Sequence, residues 1–276
     1  MKDVNIVYVN YLSKGELMNS LSCLLSDLQN SSLDFQITVV DNSLNQDGLR
    51  EALGAHPSVT YILPEKNLGF GAGNNRGFLA VPARYFMSLN CDTEIVSGSH
   101  AIEKMVNFMD NNSKISCIGP KILNMDGSTQ FTCYRFDLPS ILIKPLKQIN
   151  IDKKYFWIKK HADKLVMKDF DHNETRPVDW VLGAAMMLRC DVGFFDERYF
   201  MYMEDCDLCR SLWSAGNPVY YVHDIVIRHT HNRDSAKVSG LFRAFFKNKL
   251  ARIHSVSWLK YIWKWRGQHK YYADFS

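Results

Sequence analysis

Short apolar runs alternate with segments of helical spacing along the first ninety residues. Four runs are rich in β-branched or aromatic residues and end at polar or turn-forming clusters, which is typical of strands; they lie at 4–9, 35–40, 59–63 and 85–89. Leucines at intervals of three and four residues predict a helix over 15–28, and a shorter helix is expected over 49–53. This order predicts an α/β fold built on a doubly wound sheet.

Polar residues follow three of these strands directly. Asn10, Asp41 and Asp92 each lie at or just beyond the carboxyl end of a predicted strand. In doubly wound sheets the ligand binds beyond the carboxyl ends of the strands. The three side chains are therefore expected to meet at one ligand site.

A glycine- and asparagine-rich loop lies between the third and fourth strands, at residues 65–77, and leads into a helical segment. Glycines let backbone amides approach a phosphate, and a helix N-terminus favours an anion. The spacing of Gly69, Gly71 and Gly73 is not the GxGxxG pattern, so a nicotinamide cofactor is disfavoured. The alternative is a plain glycine-rich turn.

The second half of the chain carries fewer regular patterns. A buried strand is predicted over 179–189, and two short strands over 219–222 and 225–227 lead to His229. Between them, residues 200–210 place three carboxylates among aromatic and apolar neighbours, before a helical segment that ends at Gly216. These acids are either the first turn of an amphipathic helix or groups that a metal or a reaction requires.

Composition and charge narrow the class of protein. The chain has 276 residues, 46% hydrophobic and 22% charged, which is ordinary for a folded globular protein. The net charge of +4 is unevenly spread: residues 240–276 hold eight Lys or Arg against one acid, so the body before them is slightly acidic. The basic balance therefore does not indicate nucleic acid binding by the body.

The basic C-terminal segment, residues 240–276, also carries aromatic and apolar residues at helical spacing. Two interpretations remain open: an interfacial helix on an anionic membrane, or a helix packed on its own domain with a solvated basic face. No window reaches the roughly 20 apolar residues that span a bilayer. Seven cysteines without a disulfide framework, and a start without a signal-peptide core, predict a cytoplasmic protein.

The order of these motifs resembles that of the family 2 glycosyltransferases, and more narrowly their bacterial rhamnosyltransferase branch, over about residues 4–235. The resemblance rests on residues 39–43, the loop at 67–77, Asn90-Cys91-Asp92, residues 180–185, Glu204-Asp205 and His229. It implies a GT-A fold with a doubly wound mixed sheet, a nucleotide-sugar donor, a divalent cation and inversion at the anomeric carbon. It also implies a domain over 1–239, with a nucleotide-sugar half (1–95) and an acceptor-binding, catalytic half (96–239), followed by the basic tail.

The resemblance assigns roles to individual residues. Asp92 and His229 are expected to hold Mg²⁺ or Mn²⁺, with His223 and His231 as competitors for the histidine position. Asp41 is expected to contact the nucleotide base, and Asn90 stands where the family's DxD motif has its first aspartate. The full set of expected donor contacts is Asn10, Asp41, Asn67, Gly69, Gly73, Asn75, Asn90 and Asp92.

The same resemblance assigns roles to residues that would contact the acceptor. Asp205 is expected to act as general base and Glu204 to orient the acceptor or the base, whereas Asp207 and Arg210 brace the helix. Trp180 is either an acceptor-stacking ring or a core residue.

The implied activity is transfer of L-rhamnose from dTDP-rhamnose to a lipid-linked glycan of a surface polysaccharide, such as O-antigen, capsule or cell wall. The enzyme would act at the inner face of the cell membrane, in peripheral contact with it. A galactofuranosyl or other hexosyl transferase that uses a UDP-sugar is the alternative within the enzyme class. An inactive glycan-binding or scaffold protein of the same fold is the alternative outside it.

Overall fold

The computed structural model describes residues 1–136, 156–230, 249–268 and 270–272. The first half contains β1 (Lys2–Asn10), α1 (Lys14–Leu28), β2 (Phe35–Asp41), α2 (Leu49–Leu53), β3 (Val59–Ile62), α3 (Phe70–Ala80) and β4 (Ala83–Leu89). The predicted strands and helices of this half are all present, with bounds that differ by at most two residues. The helix that follows β3, α3, already begins at Phe70, so the expected loop over 65–77 is a shorter loop, and Gly71, Gly73 and Gly77 lie within the helix.

The second half is less regular. Its elements are β5 (Thr93–Ile95), α4 (Ala101–Asn111), β6 (Cys117–Leu123), β7 (Cys133–Tyr134), α5 (Phe156–Leu165), β8 (Arg176–Pro177), β9 (Trp180–Val181), β10 (Ala185–Arg189), α6 (Glu204–Ser214), β11 (Val219–His229) and α7 (Lys249–Lys264). The single strand expected over 179–189 is in fact two strands, β9 and β10, with residues 182–184 between them. The two strands expected near 219–227 are one strand, β11, with a shift of register between Val222 and Val226.

One mixed sheet organises the chain, in the order β3-β2-β1-β4-β10-β6-β11-β5, with β8 also paired to β11. Strands β1 to β4 are parallel where they pair. Strand β10 is antiparallel to both β4 and β6, and β11 is parallel to β6. The expected doubly wound mixed sheet is therefore present, and β10, one of its antiparallel strands, lies near the centre.

The two faces of the sheet are covered by different helices. Along β1, Ile6 and Tyr8 pack in the cluster that contains α1 and α4, whereas Val7 packs in the cluster that contains α3, α6 and part of α7. Successive strand residues point to opposite faces, so a β-rich apolar run fills both layers. The register pairs Asn10 with Asp41 at the ends of β1 and β2.

The C-terminal helix α7 packs on the domain. Its inner face buries Ala251, His254, Ser257 and Tyr261, and the Ser257 hydroxyl donates to the Met201 carbonyl at 2.8 Å. For the inner face of α7, these contacts agree with the second interpretation of the C-terminal segment, a helix packed on its own domain. The expected domain boundary at residue 240 lies outside the described residues, and no described helix combines the length and hydropathy needed to cross a membrane.

Candidate active site

A cleft of about 310 Å³ opens where β4, the 182–184 segment and the start of α6 come together. It contains six of the residues singled out from the sequence: Asn90, Asp92, Trp180, Glu204, Asp205 and His229. Its other lining residues are Phe70, Tyr134, Leu182, Gly183, Ala184, Met201, Tyr202 and Met203. The fold thus gathers side chains from residue 90 to residue 229 into one site.

The end of β11 places His229 beside Asp92. The distance from His229 Nε2 to Asp92 Oδ1 is 3.1 Å, and the backbone N–H of Thr230 donates to the Asp92 carbonyl at 2.9 Å. Gln130 orients the histidine from the other side. Its amide nitrogen donates to the His229 carbonyl and to Asn124 Oδ1, at 3.0 and 2.8 Å, so Gln130 Oε1 faces His229 Nδ1 at 3.0 Å.

This arrangement fixes the roles of the two ring nitrogens. Because Gln130 Oε1 can only accept, Nδ1 of His229 carries a hydrogen, and Nε2 is the ring nitrogen that faces Asp92. A ring nitrogen and a carboxylate oxygen this close to each other hold either a shared proton or a cation between them. Nitrogen and oxygen ligands that neighbouring hydrogen bonds hold in one orientation, as Gln130 does for His229, suit a divalent cation.

The cation would have two protein ligands here. No group of three or more His, Cys, Asp or Glu side chains with metal-site geometry occurs in the parts of the chain that the structure describes. Mg²⁺ characteristically keeps water and substrate phosphates as ligands beside one or two carboxylates. Asp92 and His229 therefore fit a cation that binds together with a phosphate ligand. His223 lies elsewhere, against Thr175 at 3.0 Å, and His231 is outside the described residues.

The first turn of α6 brings two carboxylates to the cleft. Glu204 and Asp205 are 6% and 9% exposed, and both line it. Asp205 Oδ1 accepts the Cys206 N–H at 2.7 Å, and Oδ2 accepts the Gly183 N–H at 3.2 Å. These contacts hold the carboxylate in one orientation, and the helix N-terminus favours its negative charge.

The chain enters α6 through two residues in the left-handed region. Tyr202 and Met203 have φ values of 70° and 71°, and both line the cleft. Non-glycine residues rarely adopt this conformation, at a cost of about 1–3 kcal/mol each, and such residues cluster at functional sites. The turn aims Glu204 and Asp205 at the cleft.

The third acid of the stretch points away from the cleft. Asp207, which is 1% exposed, accepts hydrogen bonds from Lys264 Nζ at 2.6 Å, Trp265 Nε1 at 2.7 Å and the Tyr199 hydroxyl at 3.1 Å. Burial raises the pKa of Asp207 above its ordinary value, although Lys264 opposes this. Arg210, one turn later, donates to the Tyr261 hydroxyl at 3.1 Å. The bracing role expected of Asp207 and Arg210 matches these contacts.

Asn10 and Asp41 are completely buried and bonded to one another. Asp41 accepts four hydrogen bonds, from the Asn10 amide, the Ser43 and Asn45 N–H groups and the Tyr61 hydroxyl. Burial acts to raise the pKa of Asp41, but these bonds outweigh it and hold the pKa below its ordinary value. Four bonds use the lone pairs of a carboxylate, so Asp41 braces its loop here, and its contact with a nucleotide base stays a prediction.

The glycine-rich loop is held mainly by packing. A Cβ on Gly69 would lie 2.0 Å from the Phe200 carbonyl oxygen, and one on Gly73 would lie 2.9 Å from Val9. Asn67 accepts the N–H of Gly69 through its side chain at 2.8 Å. The Asn75 amide is bonded to both the N–H and the carbonyl of Phe195. Asn67 and Gly69 thus shape the loop, whereas Gly73 and Asn75 pack the first turns of α3. Direct contact of these four residues with a donor also stays a prediction.

A second, mostly apolar recess of about 230 Å³ adjoins the cleft, with Phe70 and Met201 common to both. It lies between the end of β1, the glycine-rich loop and α7, and is lined by Val9, Tyr11, Asn42, Asn67, Gly69, Phe70, Phe200, Met201, Lys249, Leu250 and Ile253. The C-terminal helix therefore forms part of the wall next to the cleft.

Trp180 lies at the edge of the cleft but is only 3% exposed. Its ring stacks on Tyr134, with centroids 3.9 Å apart and planes at 14°. Tyr134 thus covers one face of the indole, and it lines the cleft together with Trp180. Stacking of Trp180 on an acceptor stays a prediction.

Three residues of the cleft region received no role from the sequence. Gln130 lies 99 residues from the histidine that it orients, Gly183 contributes a backbone N–H, and Tyr134 lies in a segment without periodicity. Of the three, only Gly183 lies in a motif used above, residues 180–185, and no role was assigned to it there.

The glycosyl transferase family 2 model matches residues 6–163 of the chain. The chain belongs to glycosyltransferase family 2. The N-acetylglucosaminyl-diphospho-decaprenol L-rhamnosyltransferase of Mycobacterium tuberculosis is 25% identical over 249 residues, which are 84% of this chain and 80% of that protein. The expected membership in the rhamnosyltransferase-like branch is thereby confirmed, and the chain is a glycosyltransferase of glycan biosynthesis.

Solved structures of glycosyltransferases share the fold. The mannosyltransferase PcManGT from Pyrobaculum calidifontis, in complex with GDP-Man and Mn²⁺, superposes with a TM-score of 0.57 at 11% identity, covering 95% of this chain and 70% of that one. TarS 1-349 of S. aureus superposes with a TM-score of 0.54 at 13% identity. This chain covers 60% of that TarS structure, with 83% of its own length aligned. At this level of identity the likeness shows the GT-A fold alone.

Proposed function

We propose that this glycosyltransferase moves L-rhamnose from dTDP-rhamnose to a lipid-linked glycan, with inversion at the anomeric carbon. The observation that carries the proposal is the cleft, which brings Asn90, Asp92 and His229 together with Glu204 and Asp205. The M. tuberculosis relative, named as a rhamnosyltransferase acting on a diphospho-decaprenol glycan, supports the choice of sugar and acceptor.

In this mechanism Asp205 takes the proton of the acceptor hydroxyl as its oxygen attacks the anomeric carbon. The bond from that carbon to the nucleoside diphosphate breaks, and the electron pair leaves with the diphosphate. Glu204 orients the acceptor hydroxyl or the base beside it. The Gly183 and Cys206 N–H groups keep the Asp205 carboxylate aimed at the acceptor.

Asp92 and His229 would hold the divalent cation, Mg²⁺ or Mn²⁺. A cation bound there would act as a Lewis acid and neutralise charge on the departing diphosphate. The likeness of the fold to a mannosyltransferase solved with Mn²⁺ supports a cation of this kind. Asn90 would contact the donor beside the cation, and the apolar recess next to the cleft would take the rest of the nucleotide.

The outer face of α7 supports a peripheral contact with an anionic membrane. Val256, Leu259 and Trp263 are 46%, 59% and 62% exposed and lie on one side of the helix. The exposed bases Arg252 and Lys260 accompany them. An apolar stripe beside basic residues suits the lipid–water boundary, and it would place the cleft near a lipid-linked acceptor.

The direct test is a screen of sugar donors by nucleotide release, followed by mass analysis of the product on a lipid-linked acceptor. We expect dTDP-rhamnose to be used and UDP-glucose to be refused. Preferred use of UDP-galactofuranose or another UDP-hexose would replace the rhamnose assignment. Absence of metal-dependent binding of both dTDP and UDP would favour the inactive scaffold.

The variant Asp205→Asn tests the base. We expect transfer to fall by about 10²- to 10⁴-fold, since a positioned general base contributes that much, while dTDP binding is retained. Asp169→Asn, which removes an exposed carboxylate, is the matched control. Near-normal turnover of Asp205→Asn would remove Asp205 from the mechanism.

A further inference from the structure

The entry segment, residues 196–203, leads into α6 and ends in two strained residues. Tyr202 and Met203 have φ values of 70° and 71°, and Glu204, the first residue of α6, follows them directly. Non-glycine residues keep this conformation only where the surrounding structure holds them in it. The placement of Glu204 and Asp205 in the cleft therefore depends on the contacts that hold the entry segment.

One side of α7 supplies such contacts along the length of the entry segment. Successive turns of the helix contact successive parts of the segment, and the pairs are Lys264–Asp196, Lys260–Arg198, Ser257–Met201 and His254–Tyr202. Residue numbers fall along the helix as they rise along the segment, so the two run antiparallel. The helix thus lies beside the entry segment as a splint.

The same helix is also bonded to α6, on the far side of the strained turn. The ammonium of Lys264 joins the two parts, because it donates to Asp196 Oδ2 at 2.8 Å and to Asp207 Oδ2 at 2.6 Å. Three residues earlier on α7, the Tyr261 hydroxyl accepts a hydrogen bond from Arg210 at 3.1 Å. Because α7 is attached before and after the turn, it fixes the angle at which the chain enters α6.

Ser257 makes the contact of α7 that lies closest to the turn along the backbone. It is 2% exposed, and its hydroxyl donates to the Met201 carbonyl at 2.8 Å. This carbonyl belongs to the planar peptide unit that joins Met201 to Tyr202, so its orientation is linked to the φ angle of Tyr202. The next support is inside α6, where the Asp207 N–H donates to the Met203 carbonyl at 2.8 Å.

We propose that α7 positions the catalytic carboxylates and that Ser257 is its chief positioning residue. The Ser257 hydroxyl holds the peptide plane before Tyr202, and the turn held in this way aims Glu204 and Asp205 at the acceptor. The inference rests on the proposed role of Asp205 as base, and it holds whichever sugar the cleft transfers. It gives the inner face of α7 a part in the reaction that is separate from any membrane contact of the outer face.

The variant Ser257→Ala tests this role, and Ser255→Ala is its matched control. Ser255 is also on α7, and its hydroxyl donates to a carbonyl of its own helix, that of Ala251, at 2.9 Å. With the donor that the nucleotide-release screen identifies, we expect kcat of Ser257→Ala to fall by about 10- to 100-fold, because a catalytic group misplaced by about 1 Å can lose a hundredfold. The KM for the donor should stay near normal, since only the transition state loses an interaction. Ser255→Ala should keep both values.

Hydrogen exchange of the Asp207 N–H, followed by NMR in the full chain without substrate or metal, measures the turn directly. We expect exchange to be about tenfold faster in Ser257→Ala, the effect of one lost hydrogen bond, and unchanged in Ser255→Ala. Equal kcat in the two variants would overturn the proposal, and so would equal exchange rates. Near-normal turnover of Asp205→Asn would instead remove the proposed base, while the exchange rates would still decide whether Ser257 holds the turn.

Discussion

Gly69 offers a sharp test of how the glycine-rich loop supports the cleft. It has a φ of 83°, and a Cβ there would meet the carbonyl oxygen of Phe200 at 2.0 Å and its carbon at 2.8 Å. These are backbone atoms, and the same carbonyl accepts the Phe70 N–H at 2.8 Å. Gly69→Ala therefore has to displace the segment that leads into α6.

Gly127 provides a matched control, because its φ is also 83° and nothing lies within 4 Å of a Cβ built there. Gly127→Ala should lower the free energy of unfolding by about 1 kcal/mol, because only the preference of glycine for this backbone conformation is lost. Gly69→Ala adds overpacking and one hydrogen bond, so we expect a loss of about 3–5 kcal/mol. Urea unfolding followed by tryptophan fluorescence measures both values.

The same displacement of the segment before α6 should also slow the catalysed reaction. Phe200 lies four residues before Glu204, and a catalytic group misplaced by about 1 Å can lose a hundredfold in rate. We expect kcat/KM to fall by about that factor in Gly69→Ala and to stay near normal in Gly127→Ala. Equal losses of stability in the two variants would refute the contact between Gly69 and Phe200 as the cause.

The remaining predictions concern binding of the cation and the stability of the fold at low pH. Gln130→Ala should weaken Mn²⁺ binding by about 10- to 100-fold, because His229 loses its oriented tautomer; calorimetry in the presence of dTDP measures this, and unchanged affinity would contradict it. Asp41→Asn should lose about 2–4 kcal/mol of unfolding free energy at neutral pH. Because the folded pKa of Asp41 is lowered, its stabilisation is present above its unfolded value of about 3.9 and is lost as the pH falls through the folded value. The difference between the wild type and Asp41→Asn should therefore shrink on acidification, and a constant difference would count against the Asp41 network.

The nucleotide half could be predicted from the sequence because its signals are local. Each strand from β1 to β4 is an apolar run with its own terminator, and α1 has leucines at helical spacing. Strand β11 was divided in the prediction because His223 and Asp224 interrupt the apolar run. In the structure the register shift between Val222 and Val226 accommodates these residues without ending the strand.

The acids and the histidine of the candidate site could be picked out from the sequence, but the residues that hold them in place could not. Asp92, Glu204 and His229 stand out as unusual residues at element ends. Gln130 does not, since its role depends on a contact across 99 positions. Likewise, the four hydrogen bonds that Asp41 accepts form only in the folded loop, and no spacing in the sequence predicts them.

The order of strands in the sheet has a consequence for synthesis on the ribosome. Strands β1 to β4 can pair as soon as residue 89 has emerged, but the outer edge of β4 pairs with β10, which spans residues 185–189. For roughly a hundred residues of translation that edge has no partner strand, and open edges recruit other chains. We expect nascent chains halted between these points to aggregate or to be bound by chaperones, whereas chains that include β10 should not.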